Sequence, residues 1–346
     1  MCAATHRTIW DCARESAEQT RTEPPSETLL SAVNQPDRHC VISSDTSRNR
    51  ILLFPGSFNP PHRGHAALLN AILSSLSRSL NIRGAIIFPH DDEQLKRRAR
   101  EDISRFSFDK AQRISLWAES SSFPKNDTWL YNDCRDSLTR LQKQMLRNLK
   151  KQRVKLCFLL LVGPDWVTRQ ATYDPGQWNC TEAITSDISR PVDFRFQHTL
   201  GQLPGCSPWS FHFVGETLDV ATTANCQGEG FRGGSGCGNF ASLMSLADSV
   251  SSLGVCEWSL VLWTCLTLRR PIRQYYFKPS DRNATITSPS SSDIRKAIQN
   301  SLTQGRLPND SELEDALSPG LLLGYVQKIT IVSTDSNPYP AISNEK

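Results

Sequence analysis

The sequence predicts an α/β fold, a parallel sheet flanked by helices, and three consecutive segments predict it. Ile51-Leu52-Leu53-Phe54 is a short apolar run that stops at Pro55-Gly56, as a buried strand does. Ala66–Leu80 places Leu68, Ile72, Leu76 and Leu80 at every fourth position, with Leu69 and Leu73 beside them, giving one broad apolar helix face. Gly84-Ala85-Ile86-Ile87-Phe88-Pro89 reads as a second buried strand. Strand, helix and strand in such short compass form a βαβ unit, whose crossover requires parallel strands.

Further elements follow in order. Asp109–Glu119 and Leu138–Lys151 have helical patterning, the second with basic residues on its outer face. Leu156–Val162 (LCFLLLV) is the most apolar strand candidate and reads as central in the sheet, ended by Gly163-Pro164-Asp165. Residues 200–256 are dense in Gly and Ser and read as an insertion or flexible loop. Trp258–Leu268 and Gln274–Lys278 resume strand-like sequence, Ser292–Asn300 starts a helix with a Ser cap, and Leu321–Val326 forms a last short apolar element. Residues 1–48 are polar and weakly periodic, which predicts a loosely ordered extension with at most one short helix. The domain is expected over 49–330 and a tail over 331–346.

Composition narrows the function classes. A net charge of +4, from 39 basic and 35 acidic residues, suits an anionic small substrate and supplies no nucleic-acid footprint. The 11 cysteines are scattered and include no C-x-x-C pair, so reduced, mostly buried thiols are expected and no protein-bound metal site. The longest apolar run falls far short of the roughly 20 residues that span a bilayer, so no membrane partner is expected. With no targeting signal recognised, the expected compartment is cytoplasmic or nuclear.

The chemistry is carried by residues 55–65, PGSFNPPHRGH. A strand ends, a turn containing Gly56 exposes backbone N–H groups, and a helix begins near Gly64. Backbone donors at a helix N-terminus make an anion site suited to phosphates. His62 and His65, three apart at the mouth of that helix, point at one bound phosphate group. Gly64 removes a side chain where a nucleotide comes close, and Pro60 and Pro61 stiffen the approach.

GSFNPPHRGH resembles the signature of the nucleotidyltransferases with an H-x-G-H motif, most closely the nicotinamide mononucleotide adenylyltransferase group. The resemblance implies a Rossmann-like fold. It gives His62 and His65 the task of binding the triphosphate and stabilising charge on the α-phosphate, with Gly56, Ser57 and Phe58 lining the nucleotide pocket through their backbones. Ser290-Ser291-Ser292-Asp293-Ile294-Arg295 resembles the family's S-S-T-x-[IV]-R segment, with Ser292 where Thr is usual. It implies a second phosphate clamp, with Ser291 and Ser292 on the nucleotide and Arg295 on its β- or γ-phosphate. Gly163-Pro164-Asp165 resembles the G-x-D turn, which implies that Asp165 holds a ribose hydroxyl or supports the adenosine side. Lys96, after the second strand, and Arg113 and Trp117, in the segment resembling the acceptor-pocket helix, are candidate substrate residues. The resemblance covers roughly residues 50–170 and 270–326.

The expected reaction joins the AMP part of ATP to a phosphate-bearing acceptor, first of all nicotinamide mononucleotide, and releases pyrophosphate. Mg²⁺ is expected to ride mainly on the nucleotide phosphates. Two alternatives stay open: a cytidylyltransferase using CTP and a phosphoalcohol, and a non-catalytic nucleotide-binding protein. The sequence leaves the oligomeric state open.

Overall fold

A computed structural model describes residues 8–24, 42, 48–99, 107–196, 199–213, 261–280 and 290–335. Its centre is an eight-stranded sheet in the order β3-β2-β1-β4-β5-β8-β7-β6. The strands are β1 (Asn49–Gly56), β2 (Ile82–Pro89), β3 (Thr128–Leu130), β4 (Leu156–Leu161), β5 (Glu182–Ser186), β6 (Ser210–Phe213), β7 (Val261–Leu266) and β8 (Gln274–Lys278). β1 to β5 and β8 pair in parallel, while β6 and β7 extend that edge antiparallel. The α/β, Rossmann-like fold is therefore present. Its strand order reverses between β1 and β4, the switch point beyond whose carboxyl ends such sheets bind ligands.

Alternation along β1 builds the two main layers. Ile51 and Leu53 enter a core shared with the helices α1 (Ile9–Thr20) and α5 (Arg135–Lys151). Leu52 and Phe54 enter a second core, shared with α2 (Arg63–Leu76), whose Leu68, Leu69, Ile72 and Leu76 form the expected apolar face. The crossover between β1 and β2 is thus the βαβ unit read from the sequence. The remaining helices are α3 (Asp92–Ala99), α4 (Lys110–Ala118), α6 (Ser291–Thr303), α7 (Asp310–Leu313) and α8 (Pro319–Asp335). A third apolar cluster joins α4 to α6, α7 and α8 through Leu116, Ile294, Ile298, Leu313, Leu322 and Val326.

Three expectations need correction. The N-terminal stretch is not a loose extension over residues 8–24, because α1 is capped and packed into the core. The Thr8 hydroxyl accepts from the Asp11 amide at 3.2 Å, and the Asp11 carboxylate accepts from the Thr8 amide at 2.9 Å. Ile9, Trp10 and Cys12 are fully buried. Trp10 fits only because residue 84 is Gly: a Cβ there would stand 2.4 Å from its ring. Within 200–256, residues 210–213 are strand β6; residues 214–256 lie outside the described residues, as do 336–346 of the tail. The last apolar element is no short piece but the 17-residue helix α8.

Candidate active site

The loop after β1 runs from Ser57 to His62, and helix α2 starts at Arg63 with His62 as its N-cap. Its carbonyl oxygens are tied down one after another. Arg113 Nη1 donates to Ser57 O at 2.8 Å, and Arg295 Nη1 to Asn59 O at 2.5 Å. Ser291 Oγ donates to Pro60 O at 2.7 Å, the Leu317 amide to Pro61 O at 3.0 Å. Asn59 Oδ1 in turn accepts from the Phe108 amide at 2.9 Å. Carbonyl oxygens repel an anion, so engaging them with α4, α6 and the α7–α8 connection leaves the loop's character to its N–H groups and the α2 N-terminus.

The two histidines stand together at that helix mouth, ring centroids 3.7 Å apart. The His62 amide donates to His65 Nδ1 at 3.2 Å. An Nδ1 that accepts requires the neutral tautomer with its proton on Nε2. Behind His65, Phe58 is set edge-on at 4.9 Å, and Trp117 edge-on to Phe58 at 5.4 Å. Burial pushes the His62 imidazole down to about 3, helped by Arg190 and opposed by Asp293. Burial, His62 and Arg190 push His65 well below its ordinary value. Both rings are therefore neutral near pH 7.

Arg190 was not recognised from the sequence. It lies just past β5, half-buried, with its charge acting on His62, His65 and Asp293. Among the described residues its guanidinium makes no hydrogen bond or ion pair. No spacing rule would have found it, since the end of β5 carries it to the histidines. An aromatic group stands at the carboxyl end of β2, in the segment after the second strand where the resemblance places substrate-loop residues. His90 stacks on Trp178, centroids 5.9 Å apart and planes 7° apart, with the Arg135 guanidinium 4.4 Å from the Trp178 ring.

The other candidates are distributed as follows. Gly56 ends β1, and its missing side chain makes room for the Phe58 ring, which a Cβ would approach to 2.6 Å. Gly64 is buried in the first turn of α2. Ser292 Oγ accepts from Arg295 Nη2 at 3.1 Å, so in this structure Arg295 and Ser291 hold the first motif, which brings the two motifs together. Asp165 is exposed in a 3₁₀ turn, Pro164–Trp166, just past β4.

The three substrate candidates sit otherwise than expected. Lys96 is exposed on α3 and paired with Glu93 at 3.2 Å. Trp117 is fully buried core. Arg113 is fully buried too, its guanidinium spread over Ser57 O, Phe108 O, Asp109 O, His90 O and the Asp92 carboxylate. It positions the loop.

Among the described residues no three His, Cys, Asp or Glu side chains cluster so as to hold a metal ion. No helix among them is long and apolar enough to cross a membrane. No curated protein matches this chain. Residues 53–186, from β1 through the end of β5, match the model of the cytidylyltransferase-like family. With the sheet order and the helix-mouth histidines, that match supports the nucleotidyltransferase superfamily for this domain, and nucleotidyl transfer as its general chemistry.

Proposed function

We propose that this protein transfers the AMP moiety of ATP to the phosphate of nicotinamide mononucleotide, forming NAD and pyrophosphate. The carrying observation is the neutral His62–His65 pair at a helix N-terminus whose approach loop has its carbonyls tied away. In this reading an acceptor phosphate oxygen attacks the α-phosphorus in line, a new P–O bond forms, and the bond to the bridging oxygen of pyrophosphate breaks. The acceptor is already ionised, so no general base is required; positioning and charge stabilisation supply the rate. His65 donates its Nε2 proton in a hydrogen bond to the α-phosphate, and Arg190 offsets the developing charge. Ser57 and Gly64 border the phosphates through the backbone, and Asp165 meets the ribose. Mg²⁺ would be carried mainly by the nucleotide phosphates, where it would neutralise their charge.

The choice of ATP and of the acceptor rests on the likeness of GSFNPPHRGH and SSSDIR to the adenylyltransferase signature. Pyrophosphate release, measured with ATP or CTP against nicotinamide mononucleotide and a panel of phosphoalcohols, tests it. Turnover with ATP and nicotinamide mononucleotide is the expected result. Turnover with CTP alone makes the protein a cytidylyltransferase, and nucleotide binding without turnover makes it a sensor; either outcome ends the proposal.

A further inference from the structure

On the reading that Arg190 offsets charge at the α-phosphate, we propose that the buried ion pair of Asp187 with Arg195 is a positioning device that holds Arg190 against His62 and His65. Arg190 lies on the segment that leaves β5, and that segment crosses the carboxyl edge of the sheet. Ile188 packs into the core on the α2 side, whereas Val192 and Phe194 are buried in the core on the opposite side. Arg190 stands between them, half-buried and followed by exposed Pro191, with its charge acting on both histidines.

The middle of this crossing has little packing of its own, so its ends must fix it. Arg195 Nη1 donates to Asp187 Oδ2, closing the loop at its base between residues eight apart in the chain. The two side chains are only 7% and 8% exposed. Asp187 Oδ1 accepts from the Ser280 amide at 2.7 Å, and Arg195 Nη1 also donates to Ser280 O at 3.1 Å. Ser280, just past β8, is thus gripped through both of its backbone polar groups. On the far side Arg195 bridges antiparallel to Leu200, and the Gly201 amide donates to Phe194 O at 2.7 Å. Taking two charges out of water costs much of what their attraction returns, so a buried pair adds little net stability. What this one supplies is geometry: it locks the base of the loop to the end of the neighbouring strand.

The test combines kinetics with imidazole titration by NMR in full-length Arg195→Met, Arg190→Ala and the double variant, each shown to be folded by circular dichroism. In Arg195→Met, kcat should fall about tenfold with KM little changed, and the double variant should lose no more than Arg190→Ala alone. The His65 imidazole should titrate higher in Arg195→Met, as in Arg190→Ala, because a displaced cation no longer opposes protonation. Arg195→Lys keeps a charge opposite Asp187 and should recover part of both effects. Should Arg195→Met not fold, Asp187→Asn takes its place: its Oδ1 still accepts from the Ser280 amide, and the same changes are expected. The titration needs no turnover, so a wild type inactive with every nucleotide would end the functional reading and leave this test standing. Losses that add in the double variant, or a His65 that titrates as in wild type once the pair is broken, would overturn the proposal.

Discussion

The backbone N–H of His62 donates to Nδ1 of His65 across 3.2 Å, which makes the first histidine the device that sets the tautomer of the second. Only the Nε2 proton of His65 is left to serve a ligand. A glutamine at 65 places its amide nitrogen near where Nε2 stood, and an asparagine near where Nδ1 stood. His65→Gln should therefore retain more pyrophosphate-releasing activity than His65→Asn. The Asn variant should lose about 10²–10³ in kcat, the usual cost of one transition-state donor. Equal activity in both variants would show that Nε2 does not carry the interaction.

The neutrality of His62 has a consequence for stability. Its imidazole titrates at about 3 when folded, against 6.5 in an unfolded chain. Above pH 6.5 neither state holds the proton and the histidine is silent. As the pH falls from 6.5 towards 3 the unfolded state alone takes it up, so stability drops, by at most about 1.4 kcal/mol per pH unit for this group. Below pH 3 the loss stops growing. Urea unfolding of wild type and His62→Asn at pH 7 and pH 5 should show a smaller decline in the variant. Parallel declines would refute the assignment.

What the sequence disclosed follows from how each element is buried. β1, β2 and β4 are apolar on both faces and announced themselves as continuous runs. β5 did not, because Glu182 lies in it and is tolerated only through Arg48 at 2.8 Å and Arg50 at 2.6 Å, partners far away in the chain. α1 was obscured by polar residues, although Thr8 and Asp11 already carried the capping spacing. In the site, His62 and His65 were legible because contiguous residues place them on one helix mouth. Arg190 was not, since its position depends on the strand order. Arg113 was visible as a residue but not in its role, which is set by five acceptors spread over the chain from Ser57 to Asp109.

Those acceptors make Arg113 the brace of the loop. Arg113→Met removes a buried guanidinium from four carbonyls and from Asp92, which remains partly exposed and is itself easily resolvated. A loss near the lower end of the range for broken buried pairs, about 3 kcal/mol, is expected in urea unfolding. Arg113→Lys should recover little, because one ammonium does not span a planar fork. An unfolding free energy within 1 kcal/mol of wild type, on the usual scale of a surface change, would show the brace to be dispensable.

Arg190 is different: it is half-buried, free of hydrogen bonds and ion pairs among the described residues, and close enough in charge to depress both histidines. Its removal should cost the fold little and the reaction much. If it offsets charge that develops at the α-phosphate, Arg190→Ala lowers kcat and kcat/KM by similar factors, on the order of 10–100, while KM for the nucleotide changes little. Arg190→Lys should restore part of the rate, since the charge returns without the fork. The same alanine variant should raise the titration of the His65 imidazole, followed by NMR, because a nearby cation that opposes protonation has gone. A raised KM with unchanged kcat would instead make Arg190 a ground-state binding residue, and an unmoved imidazole would separate it from the histidine pair altogether.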